Sequence, residues 1–128
     1  MAKILVVDDD PDFCEITRLI LQAKGYEVET ADNSELALRL MRQDPPALVL
    51  LDVMMSSVLE GVHLAHVMEE DSELHRIPII MVSSITSTPM AELFPTDEYL
   101  PIHGWISKPV QPDDLLRRVA RALGEAQG

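Results

Sequence analysis

The chain has 128 residues, 47% of them hydrophobic, and sets ten Lys and Arg against 22 Asp and Glu for a formal net charge of −12. That length suits one domain, residues 1–128, with enough apolar content to fill a core, which excludes disorder as the main state and leaves little room for a second functional unit. The acidic field repels nucleic acid, no apolar run approaches the roughly 18 residues of a membrane span, and the single cysteine, Cys14, has no internal partner; a cytoplasmic protein is expected, with no direct nucleic-acid contact and no membrane insertion.

Ile4 to Val7 reads as a first strand, and three aspartates follow it at once. Asp10 is placed to cap a helix and Pro11 suits its first position; Phe13, Ile16, Ile20 and Ala23 share a face before Gly25 stops it. Tyr26 to Thr30 alternates as a strand, and a helix follows with Asp32 and Glu35 as its capping box, Leu36, Ala37, Leu40 and Met41 as its apolar stripe, and Pro45 and Pro46 as its terminator. Ala47 to Leu51 and Ile77 to Val82 show no polar alternation, as expected of strands covered on both faces of a parallel sheet. A helix from Gly61 to Glu70 turns Leu64, Ala65 and Met68 inward between them. From Ile85 to His103 three prolines interrupt any long helix, leaving only Met90 to Phe94 for a turn. Trp105 and Ile106 form a fifth strand, and a last helix opens at Pro112, packs Leu115, Leu116, Val119 and Leu123, and leaves Arg117, Arg118 and Arg121 in water.

Alternation of strand and helix along the whole chain predicts an α/β fold, a parallel sheet with helices on both faces. Ligands of such sheets sit beyond the carboxyl ends of the strands. The first run delivers Asp8 and Asp9 there, the third Asp52, the fourth Ser83 and Ser84, and the fifth Ser107 and Lys108. Carboxylates brought that close repel unless a cation intervenes, and hard oxygen ligands with open positions suit Mg²⁺. Taken singly, each residue has a plainer reading: Asp8 to Asp10 as a solvated turn and cap, Ser83 as a strand-end hydroxyl, Lys108 as a turn lysine, and Cys14 as a small buried hydrophobe. Asp52 resists such a reading, because a charge ending an all-apolar strand is rare without a partner. His63 and His66, three apart on the third helix, lack a third ligand and read as surface residues.

The segments KILVVDDDP (3–11), LVLLDVMM (48–55), IPIIMVSS (77–84) and WISKP (105–109) stand in an order and at a spacing that resemble the response-regulator receiver domain of two-component signalling, over essentially the whole chain. The resemblance implies a flavodoxin-like, doubly wound, five-stranded parallel sheet whose fourth helix is degraded or irregular in this chain. It makes Asp52 the phosphoacceptor, with Ser83 and Lys108 on the phosphoryl oxygens. It makes Asp9 and Asp52 direct Mg²⁺ ligands, Asp8 a ligand through water, and the backbone carbonyl of Met54 the last protein ligand. Ser83 and Trp105 would form the switch pair, Trp105 standing where tyrosine or phenylalanine is commoner. The loop VMMSSVLEG (53–61) departs from the family pattern by lacking a proline and reaching its glycine one residue late. The implied partners are a sensor histidine kinase or histidine phosphotransfer protein as donor and an unnamed protein downstream. The implied role is a signalling module that catalyses only its own phosphorylation and dephosphorylation. Two rivals stand beside this reading. Asp8 and Asp10 mimic the paired aspartates of a small Mg²⁺-dependent phosphohydrolase, though the glycine and threonine that follow in such enzymes are missing; the other rival is a scaffold whose acidic pocket is never phosphorylated.

Overall fold

A computed structural model of the chain describes residues 2–52, 60–83, 102–107 and 110–124. In chain order they form β1 (Lys3–Val7), α1 (Pro11–Ala23), β2 (Glu27–Ala31), α2 (Ser34–Gln43), β3 (Leu48–Asp52), α3 (Glu60–Glu70), β4 (Ile79–Ser83), β5 (Ile102–Ser107) and α4 (Pro112–Ala122). The strands pair in parallel in the order β2-β1-β3-β4-β5, the flavodoxin-like order. Chain direction reverses its sense of winding between β1 and β3, which leaves a crevice at their carboxyl ends.

Side chains alternate across each strand, so the unbroken apolar runs feed two cores at once. Leu5, Val7, Val49, Leu51, Ile79 and Met81 pack with α2 and α3 on one face. Ile4, Val6, Leu48, Leu50, Ile80 and Val82 pack with α1 and α4 on the other. Every residue of β3 is buried. Each such side chain contributes about 1.5–3 kcal/mol on leaving water, and the sheet is the rigid body on which the loops are mounted.

Several boundaries and faces differ from the expected ones. On α1 the buried row is Cys14, Thr17 and Leu21, Phe13 and Ile20 are half-buried, and Ile16 is 58% exposed. The helix is rolled by about one position from the face Phe13–Ile16–Ile20–Ala23, because the sequence offers two competing rows and the inward one carries a threonine. The cap of α2 is Asn33, whose side chain accepts the N–H of Leu36 at 2.8 Å, rather than Asp32. The adjacent Asp32 instead accepts from the Asn33 amide at 2.7 Å. Strand β4 starts at Ile79, since Pro78 has no N–H to give the ladder, though its carbonyl still accepts from Val49. Strand β5 starts at Ile102, so Ile102 and His103 belong to the sheet; the register slips by one residue between Ile79 and Ile80, which face Ile102 and Gly104. Of the irregular stretch expected from Ile85 to His103, with its degraded fourth helix, residues 85–101 lie outside the described residues.

At the amino end of the sheet Lys3 ties β1 to β2 and to the α2–β3 turn, reaching Glu29 at 3.2 Å, the Asp44 carboxylate at 2.8 Å and the Asp44 carbonyl at 2.6 Å. On the other side Asp71, just past α3, accepts the N–H groups of Glu73 at 2.8 Å and Leu74 at 3.1 Å and pairs with Arg42 of α2 at 2.8 Å.

The Thr17 hydroxyl is buried with no hydrogen-bond partner among the described residues. Thr17→Val keeps the shape and removes the stranded group, so it is expected to raise stability by about 1 kcal/mol, or a few degrees in Tm; a lower Tm would show that the hydroxyl is bonded in solution. The N–H groups of Glu73 and Leu74, and then Arg42, hold the Asp71 carboxyl below the usual carboxylate range. A folded-state pKa below the unfolded one gives stability that is present above the unfolded value and lost as pH falls through the folded one. Asp71→Ala is therefore expected to lower stability near neutrality and to flatten its fall below about pH 4 in urea titrations; parallel curves for the two proteins would contradict this.

Candidate functional site

The carboxyl ends of β1 and β3 are neighbours: Val7 faces Leu51, so the residues that follow, Asp8 and Asp52, come side by side at the crevice. Carboxylate oxygens of Asp8, Asp9 and Asp52 all lie within 4.8 Å of one another, Asp9 exposed and the other two buried at 1% and 5% exposure. At that separation each charged pair repels by about 1 kcal/mol in bulk water and roughly four times that at an effective dielectric of 20. The burial energy of the strands behind them is larger than this, so the fold holds the carboxylates together. An oxygen-only donor set of three carboxylates, one of them open to solvent, fits a hard divalent cation.

The triad is anchored from its own loop. Asp8 donates its N–H to the carbonyl of Ala31 at 3.0 Å, and its Oδ1 accepts the N–H of Asp10 at 2.9 Å. Asp10 caps α1 as expected, its Oδ1 accepting from Asp12 at 3.0 Å and Phe13 at 3.4 Å. Ser83 ends β4 one position beyond Val82, which faces Asp52, so its backbone stands at the same rim. Trp105 faces Met81 two positions further back. Lys108 and Met54 lie outside the described residues. The expected histidine pair divides: His63 is exposed, whereas His66 is half-buried rather than at the surface.

Two features had no counterpart in the expected site. The Cys14 thiol, from the first turns of α1, donates to the carbonyl of Asp8 at 3.3 Å. A cavity of about 510 Å³ opens beside Asp8 and Asp9 and is walled by Cys14, Arg18, Thr30 and Asp32. The capping pattern around Asp10 fixes where α1 begins, but nothing in the linear sequence signals a thiol reaching back to a strand end.

The family model for the response regulator receiver domain matches residues 4–120. Among curated relatives the chain is 36% identical over 126 residues to the "Probable transcriptional regulator ycf27" of Porphyra purpurea, covering 97% of this chain and 48% of that protein. It is 32% identical over 124 residues to the "DNA-binding response regulator MtrA" of Mycolicibacterium smegmatis, covering 94% of this chain and 50% of that one. The chain thus spans about half the length of the curated relatives it matches. Among solved structures, the chemotaxis response regulator CheY4 of Vibrio cholerae superposes with a TM-score of 0.82 at 30% identity, covering 95% of this chain and 98% of that one.

The repulsion within the triad gives a direct test. In EDTA, Asp9→Asn is expected to be more stable than wild type by up to about 1 kcal/mol, because one of three mutually repelling charges is gone. Adding millimolar Mg²⁺ should raise the wild-type Tm, as a ligand of the native state does, and leave Asp9→Asn nearly unmoved. An Asp9→Asn protein less stable in EDTA, or equally stabilised by Mg²⁺, would contradict this account of the cluster.

Proposed function

The chain belongs to the response regulator receiver family, the signalling modules of two-component systems, and on that premise we propose that Asp52 is its phosphoacceptor. The observation that carries the proposal is the burial of Asp52 at the end of an all-apolar strand with two further carboxylates within 4.8 Å. The family model and the relatives described above favour this reading over the phosphohydrolase and scaffold readings.

In this proposal an Asp52 carboxylate oxygen attacks the phosphorus of a phosphohistidine on a histidine kinase or phosphotransfer protein. The new P–O bond forms as the P–N bond breaks, and the imidazole keeps the electron pair and takes up a proton. A carboxylate approaches a phosphoryl group only if the surrounding charge is balanced. Mg²⁺ when bound supplies that balance; Asp9 and Asp52 would hold it directly, Asp8 through water, and the Met54 carbonyl from the chain. Ser83 would donate its hydroxyl to one phosphoryl oxygen and Lys108 its ammonium to another. The module would catalyse only its own phosphorylation and dephosphorylation. A cytoplasmic location agrees with the absence, among the described residues, of a helix long and apolar enough to cross a membrane.

The expected lack of nucleic-acid contact is not supported for a whole regulator, since relatives of twice this length carry the name of DNA-binding regulators. It is retained only for the acidic field of these 128 residues. A downstream protein would read the switch through Ser83 and Trp105, which the β4–β5 register sets on neighbouring strands.

Intact-mass measurement after incubation with acetyl phosphate and Mg²⁺ tests this reading. One phosphoryl group is expected on wild type, and none on Asp52→Asn or in EDTA. Turnover of a phosphate ester without an adduct would mark a hydrolase, and neither product a scaffold. The same incubation is expected to change Trp105 emission in wild type alone; constant emission in a protein shown to be phosphorylated would make Trp105 a static residue.

A further inference from the structure

Asp9, which belongs to the candidate cation site, takes no hydrogen bond from the described residues, so its place is set by its neighbours Asp8 and Asp10. Asp10 is fixed to α1 by capping. Asp8 is held toward β2 by its N–H on Ala31 and toward Asp10 by its own Oδ1. Its carbonyl, the atom that begins the peptide unit leading to Asp9, receives the thiol of Cys14 at 3.3 Å. Cys14 is 8% exposed and sits on the buried row of α1, so the contact is shielded and anchored in the core. From this geometry we propose that Cys14 is a positioning residue for the cation site: its thiol fixes the Asp8–Asp9 peptide and thereby the direction in which Asp9 presents its carboxylate.

The proposal rests on the reading of Asp8, Asp9 and Asp52 as a Mg²⁺ site. Partners that orient metal ligands from behind alter affinity by about 10- to 100-fold when removed, and a thiol is a weaker donor than those partners, so an effect at or somewhat below the lower end of that range is expected. A hydroxyl in its place keeps the donor, whereas alanine or valine removes it.

The test is a Mg²⁺ titration of the whole chain, followed through the backbone amide NMR signals of Asp8 to Asp10 well below the unfolding temperature. Cys14→Ala and Cys14→Val are expected to weaken Mg²⁺ binding roughly three- to tenfold and Cys14→Ser to stay within about twofold of wild type. Leu21→Ala, on the same buried row of α1 but far from the loop, supplies the control; it should lose stability without changing Mg²⁺ affinity. If alanine will not fold, valine, which keeps the bulk, decides. Equal affinity in Cys14→Val and wild type would overturn the proposal, as would an equal loss in Leu21→Ala, which would show general loosening of the helix. A wild type that shifts no Asp8–Asp10 amide with Mg²⁺ would instead overturn the cation-site reading itself, and this inference with it.

Discussion

Three carboxylates that repel one another are held within 4.8 Å at the end of an apolar sheet, and the rest of the structure is arranged around that constraint. Left to itself the repulsion would splay the loops apart. It does not, because β1 and β3 are central strands with cores on both faces, and their burial outweighs a few kcal/mol of Coulomb energy. The sheet therefore supplies in advance the work of assembling the charges, and under the proposed function a cation would meet carboxylates already gathered.

The strand order explains why these carboxylates meet. With β1 between β2 and β3, the chain leaves β1 toward one face and β3 toward the other, so neither helix fills the crevice at their shared end. Helix α1 begins immediately after the acidic turn, capped by Asp10, and its buried row passes Cys14 beneath Asp8. The polar turn is thus stitched to the α1 side of the core on one flank and to β2, through Ala31, on the other. Contacts at the opposite end of the sheet, Lys3 with Asp44 and Arg42 with Asp71, close the helices over the core and stand apart from the chemistry.

Much of this is legible in the sequence. Unbroken apolar runs announce strands buried on both faces, and an aspartate ending such a run, as Asp52 does, announces a partner or a ligand. Strand order in space came through the family resemblance, since periodicity alone does not say that β1 lies between β2 and β3. The inward face of α1 is not legible, because Ile16 and Ala23 offer an apolar row as good as that of Cys14 and Leu21, and the buried Thr17 hides the true one. The sequence does not separate Asp32 from Asn33 as the cap of α2, because Asp and Asn cap almost equally well and stand side by side; backbone geometry alone chooses Asn33. The Cys14 contact left no signal, because a thiol reaching a carbonyl six residues back depends on how a helix is rolled against its strand.

The central claim is that charge balance at the Asp8–Asp9–Asp52 cluster makes Asp52 a phosphoacceptor. A high-resolution crystal structure with Mg²⁺ and beryllofluoride tests it most directly. The account predicts beryllium bonded to an Asp52 carboxylate oxygen, with Mg²⁺ on Asp9 and Asp52 beside it. Beryllofluoride bound elsewhere, or Mg²⁺ in the cluster with Asp52 left unmodified at saturating fluoride, would contradict it.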